Sequence, residues 1–153
     1  VKLENVAASR LGGASGHNFE LILSAMRIAS ASAAVGVARS SFEYARNYAK
    51  EREAFGVKIA QKQAIAFFLA EMATEMEAIR LLTWEAAWKL DNNKDDAHTT
   101  AYLAQAGAAD MAMMVTDRGV QIYGGHGYIR ENPVELLLRN GRGFASLLGL
   151  VII

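Results

Sequence analysis

The chain has 153 residues, enough for one domain with a sizeable core. Sixteen Lys and Arg balance sixteen Asp and Glu, so there is no basic field of the kind that drives nucleic-acid binding. Cysteine is absent, which excludes disulfides, a thiol nucleophile and a Cys-ligated metal.

No apolar run approaches the roughly 20 residues of a membrane span, and no signal-peptide pattern is present. The apolar fraction of 52% suits a domain that also buries surface against partners. Alanine is abundant and Pro133 is the single proline, so long uninterrupted helices are expected. The chain starts at Val1 and ends on the apolar run 147–153. Both ends look cut, and a fragment or isolated domain is expected.

Residues 1–18 read as a lead-in segment. Val1, Leu3 and Val6 alternate weakly, as a short strand would, and Gly12, Gly13 and Gly16 supply a turn. A first helix is predicted from Phe19 to Glu51, with Leu23, Met26, Ala33, Val37, Phe42 and Ala45 as a loose apolar stripe. Small residues fill much of the rest. Gly36 costs about 1 kcal/mol relative to alanine in a helix, so tight packing is expected there. Gly56, with Phe55 before it, marks a break.

A second helix is predicted from Ala60 to Leu90. Ile65, Phe68, Leu69, Met72, Met76, Ile79 and Leu82 recur at spacings of three and four. Residues 91–96 form a polar turn. A third helix is predicted from Ala97 to Tyr123, with Leu103, Met111, Met114, Val115 and Ile122 inward. Gly124-Gly125-His126-Gly127 stops it. Asn132 suits the N-cap of a shorter fourth helix and Pro133 its first position; Glu135 adds a favourable charge to the first turn. The predicted fold is all-α, an antiparallel up-and-down four-helix bundle over residues 19–153.

Four stretches match one family in order and at near-family spacing. Arg52-Glu53-Ala54-Phe55-Gly56 resembles the Arg-x-x-Phe-Gly motif of acyl-CoA dehydrogenases. Gln63-Ala64-Ile65 followed by Leu69-Ala70-Glu71-Met72 resembles the next helix. Gln121-Ile122-Tyr123-Gly124-Gly125-His126-Gly127 resembles the Gln-x-x-Gly-Gly-x-Gly segment. Pro133-Val134-Glu135 with Arg139 resembles the Pro-Val-Glu-x-x-x-Arg that follows.

The resemblance implies the C-terminal bundle of a three-domain flavoprotein, with residues 1–18 as a remnant of the middle β-domain. It implies FAD, shared with the other domains and a neighbouring subunit. It implies an acyl-CoA substrate, a homodimer or homotetramer, and an electron-transfer flavoprotein as acceptor. Bacterial cytoplasm and mitochondrial matrix both fit. The implied reaction removes a Cα proton from the thioester while a hydride leaves Cβ for the flavin.

Residue by residue, Arg52 falls on the arginine that meets the FAD pyrophosphate of the other subunit. A planar guanidinium can hold two phosphate oxygens at once. Without the resemblance, Arg52 reads as a solvated member of the charged run 50–53. Phe55 belongs to the same motif, and Gln63 matches a glutamine that contacts FAD. Gln121, Gly124 and Gly125 match the segment that cradles its adenosine end, where glycine permits close backbone approach. The plain reading of those glycines is a helix C-cap, and both readings can hold. Arg27 matches an arginine near the active centre, and Ser24 falls where the substrate is contacted. Trp84 and Trp88 read as core or interface packing, and Met72, Met76, Met111 and Met114 as core filler. His126 reads as a loop residue.

The base is missing. Most of the family places a glutamate before a glycine, about nine residues beyond the arginine matched by Arg139. Counting leads to Leu148, followed by Gly149, which the resemblance implies as a substrate-binding position. A branch of the family places the glutamate just before the arginine matched by Arg27, which is Met26. Neither is a carboxylate, and loss of a general base commonly costs 10²- to 10⁴-fold in rate. Leu150 and Ile152 also replace the usual flavin-contacting threonine and glutamine. Three outcomes stay open: a fragment of an acyl-CoA dehydrogenase, inactive by itself; a monooxygenase-type relative of the same fold; or a non-catalytic oligomerisation module.

Overall fold

The computed structural model describes residues 4–7, 9 and 16–147. Asn18 starts the first helix: its side chain accepts a hydrogen bond from the Leu21 N–H at 3.1 Å. With no proline to interrupt it, α1 runs from Phe19 to Glu51. A two-residue hairpin follows, β1 (Glu53–Ala54) against β2 (Val57–Lys58), with Glu53 opposite Lys58. Next come α2 (Gln63–Asp91), α3 (Ala97–Tyr123) and α4 (Val134–Gly143). The fold is the predicted bundle, and α1 and α3 have the predicted limits.

The differences have local causes. α2 begins at Gln63, because residues 59–61 close a separate 3-10 turn and Lys62 is extended. Pro133, not Asn132, is the N-cap of α4: its carbonyl accepts from the Leu137 N–H at 3.0 Å. The Asn132 amide instead donates to the His126 carbonyl at 2.9 Å. Among residues 4–7 and 9 there is no strand; Val1, Leu3, Gly12 and Gly13 lie outside the described residues.

Direction along the bundle is fixed by two contacts. Tyr48, near the end of α1, stacks on Tyr123, at the end of α3, with ring centroids 4.1 Å apart. Ser24, near the start of α1, meets His98, at the start of α3. So α1 and α3 run alongside in the same direction, and α2 and α4 return. The end carrying Tyr48 and Tyr123 is called upper here.

The core divides along this axis. The upper part is built on Met72, Met76, Met111, Val115 and Ile122. Lower down the buried apolar cluster is all alanine: Ala31, Ala34, Ala86, Ala104, Ala108 and Ala112. Small side chains let α1 and α3 approach closely. The buried face of α1 is therefore Ser24, Ser30, Ala31, Ala34, Ala38, Ser41, Ala45 and Ala49, not the larger residues of the predicted stripe. Met26 and Ala33 face outward, as does Leu103 on α3.

Gly36 is exposed too, and a Cβ there would touch nothing within 4 Å. Close approaches lie instead at Gly107, Gly119, Gly127 and Gly141. A Cβ on Gly119 would fall on the Ser41 hydroxyl, and one on Gly141 would stand 3.1 Å from the Ala112 carbonyl oxygen.

By length and composition alone α1 could cross a membrane, with mean hydropathy 1.7 over an 18-residue window. In this fold it packs against α2, α3 and α4, as α3 likewise packs against the other three helices.

Candidate functional site

The upper end gathers the motif residues. Arg52 ends α1, its N–H bonded to the Tyr48 carbonyl at 2.8 Å and its own carbonyl accepting from Ile59 N–H at 2.9 Å. The backbone is thereby pinned while the guanidinium stays exposed. The hairpin turn that follows has φ of +56° at Phe55 and +79° at Gly56. Both central residues positive is the backbone of the tightest hairpins. Glycine takes it freely, whereas a bulky aromatic is an outlier. The Phe55 ring stands 96% exposed, with the Lys62 ammonium 5.7 Å from its centroid. Strain of this kind persists where the surrounding structure imposes it, and it clusters at ligand clamps.

Gln63 opens α2 with its side chain in solvent. Gln121 is exposed in the last turn of α3, and Gly124 caps that helix with φ +57° and ψ −134°. Only glycine adopts that conformation readily. Gly124 and Gly125 are both exposed, and a Cβ on either would meet nothing within 4 Å. Among the described residues the side chains of Arg52, Gln63 and Gln121 make no hydrogen bond. They are uncommitted donors and acceptors on one end of the bundle, beside a turn with no side chains in the way. That donor set fits a phosphate-bearing dinucleotide. Beneath it the Tyr48–Tyr123 stack forms a rigid floor. Burial, ahead of the nearby Tyr48, Tyr44 and Glu51 charges, raises the Tyr123 phenol above the usual tyrosine range and keeps it neutral. His126 lies at the edge of this stack as an exposed loop residue.

The lower end gathers the other expected residues, by a different means. Ser24 is 1% exposed, and its Oγ lies 2.7 Å from His98 Nδ1. One turn on, the Arg27 guanidinium sits 5.1 Å over the Tyr102 ring, and its Nε is buried without a hydrogen-bond partner. Further along the same face of α3, Gln105 is 2% exposed and its amide donates to the Leu147 carbonyl at 3.2 Å. Positions 98, 102 and 105 form one stripe. Tyr102 also shares a cleft of about 170 Å³ with Ala145. One stripe of α3 therefore joins residue 27 to residues 145 and 147. Met26, the neighbour of Arg27, is half exposed. Leu148, Gly149, Leu150 and Ile152 lie outside the described residues.

The sequence reading missed His98, Tyr102 and Gln105. None belongs to a local motif, and each acquires meaning only from a partner far along the chain. Trp84 and Trp88, read as core or interface, are not core: they stand on the outside of α2. Among the described residues no group of three or more His, Asp and Glu could hold a metal ion.

Residues 18–149 match the family model described as acyl-CoA dehydrogenase, C-terminal domain. A subunit of the caffeyl-CoA reductase-Etf complex of Acetobacterium woodii, CarC, is 44% identical over 118 residues, 77% of this chain and 31% of that protein. The mitochondrial short-chain specific acyl-CoA dehydrogenase of Sus scrofa is 37% identical over 140 residues, 90% of this chain and 34% of that protein. The three-dimensional structure of butyryl-CoA dehydrogenase from Megasphaera elsdenii superposes with a TM-score of 0.81 at 36% identity. That superposition covers 86% of this chain and 35% of the other. The chain thus spans about a third of the length of these relatives.

Proposed function

The chain belongs to the acyl-CoA dehydrogenase family, as its C-terminal helical domain, and from this premise we propose that it supplies half of a flavin site at its upper end and one wall of an acyl-CoA site at its lower end. The family is FAD-dependent. The observation that carries the reading is the set of open polar groups at Arg52, Gln63 and Gln121 around the bare Gly124-Gly125 turn. Arg52 would hold pyrophosphate oxygens in a forked pair of hydrogen bonds. Gln63 and Gln121 would hydrogen-bond neighbouring groups, and the glycines would let the adenosine end lie against backbone. When bound, the flavin supplies the hydride acceptor.

Two walls would be needed to close such a site, and residues 1–18 are read as the remnant of the domain that supplies the other. A second copy of the chain, as a homodimer or homotetramer, would bring the exposed Phe55 turn to a neighbour's flavin. An electron-transfer flavoprotein would take the electrons; the Acetobacterium relative carries an Etf complex in its name. Proton abstraction is the missing step. Met26 has no basic atom, nor has Leu148. The chain is read as the scaffold of the oxidation, inactive by itself.

Flavin fluorescence quenching on the purified chain, with light scattering for its mass, tests the reading. Arg52→Ala should weaken FAD binding tenfold or more, about the 1.5–3 kcal/mol of a hydrogen bond to a charged group, with the melting temperature unmoved because the side chain is exposed. Unchanged binding in Arg52→Ala, or an oligomer that ignores FAD, overturns it. In a protein that contains this chain with the flavin and acyl-CoA walls complete, Leu148→Glu should raise acyl-CoA oxidation by 10²-fold or more.

A further inference from the structure

Ser24 was expected to touch substrate, yet at 1% exposure its hydroxyl is closed off from any ligand. It is spent on His98, 2.7 Å away. The His98 side chain, by contrast, is 42% exposed. Its other ring nitrogen, Nε2, lies 3.9 Å from a Glu20 carboxylate oxygen. A nearby carboxylate favours the ring proton on Nε2, and Nδ1 is then the acceptor for the Ser24 O–H. Two α1 side chains, Ser24 and Glu20, thus favour one tautomer of an imidazole on α3 that reaches solvent.

His98 also lines a cleft of about 270 Å³ between the start of α1 and the α2–α3 turn, with Asn18, Leu21, Leu90, Lys94 and Asp95. The charges there are mixed. The Lys94 ammonium lies 5.3 Å over the Trp88 ring, Asp95 also lines the cleft, and the Glu20 carboxylate beside His98 would repel an incoming phosphate. A neutral acceptor suits this surface better than an anion.

We propose that His98, oriented by Ser24, is a ligand-facing residue of the lower site: an Nε2–H donor for an amide carbonyl on the pantetheine arm of a CoA thioester. This rests on the reading that the lower end faces acyl-CoA. His98 takes the contact expected of Ser24, and Ser24 becomes the positioning residue that sets the direction of the proton.

The test is nitrogen-15 NMR of the histidine rings in the chain, titrated with pantetheine, which carries the arm and no phosphate. There are three histidines, and His98→Gln identifies the signal. In the free chain the His98 ring should show the proton on Nε2, and Ser24→Ala should mix the two tautomers. Pantetheine should move the Nε2 resonance. His98→Ala should weaken binding about tenfold, while His98→Gln, which keeps an N–H donor, stays within about threefold of the parent. Four results overturn the proposal: no shift at His98, equal affinity in His98→Ala, adenosine 3′,5′-bisphosphate shifting His98 in place of pantetheine, or no pantetheine binding at all. FAD binding without pantetheine binding defeats the His98 site alone; pantetheine at His98 without FAD defeats the flavin reading alone.

Discussion

At the upper end of the bundle, binding groups stand on bent backbone; at the lower end, they are held by side chains buried across the α1–α3 seam. Phe55, Gly56 and Gly124 all have positive φ, and the exposed side chains of Arg52, Gln63 and Gln121 near them are uncommitted. Below, Ser24, Arg27 and Gln105 are each engaged by a partner from another element. The upper end is built to meet something outside the chain. The lower end is built first to hold the chain together, and what it offers a ligand is what those internal contacts leave over.

Substitution can sharpen that contrast. The largest effect is expected at Gly124. Gly124→Ala forces a side chain into a conformation that costs about 1–3 kcal/mol, whereas Gly125→Ala, with open space and no positive φ, should be near neutral. Equal melting temperatures for the two would remove the argument that backbone conformation governs the upper turn. Phe55→Asn comes next, in the opposite direction. Asparagine tolerates positive φ, so relief of about 1–2 kcal/mol of strain should raise the melting temperature. FAD binding or self-association should fall as the exposed ring is lost; a variant that gains in neither measure shows that the turn holds no strain for function.

The smallest effect compares two serines of α1. Ser24→Ala removes a bonded hydroxyl and should lose about 0.5–1.5 kcal/mol in urea unfolding. The Ser41 hydroxyl is buried with no partner, so Ser41→Ala should match or exceed the parent. Reversal of that order would break the account of the seam.

Legibility followed the same division. The upper end could be read because its geometry demands particular residue types close together in sequence. A positive-φ turn wants Gly56, and a helix stop wants Gly124. α1 and α3 were bounded for similar reasons, by glycine-rich stops and polar turns. The lower end could not be read in the same way. Ser24 and His98 are 74 positions apart, and nothing local in either announces the other. Gly36 shows the same limit: a glycine inside a helix signals close packing only if it faces a neighbour, and which face is buried depends on helices elsewhere. Here the close approaches belong to other glycines, Gly119 and Gly141 among them. The start of α2 was misplaced because Ala60 is partly buried against the core in a 3-10 turn, where its apolar character reads the same as in a helix.

The chain carries two tryptophans, and both stand outside the bundle on α2: Trp84 60% exposed with the Arg80 guanidinium 4.2 Å over its ring, Trp88 55% exposed with the Lys94 ammonium at 5.3 Å. The intrinsic emission of the lone chain therefore comes entirely from wet indoles, at long wavelength. Any molecule that covers this flank of α2 will shift that emission to the blue without a label, while events confined to the far faces will leave it still. The protein reports, in its own light, which side it is being held by.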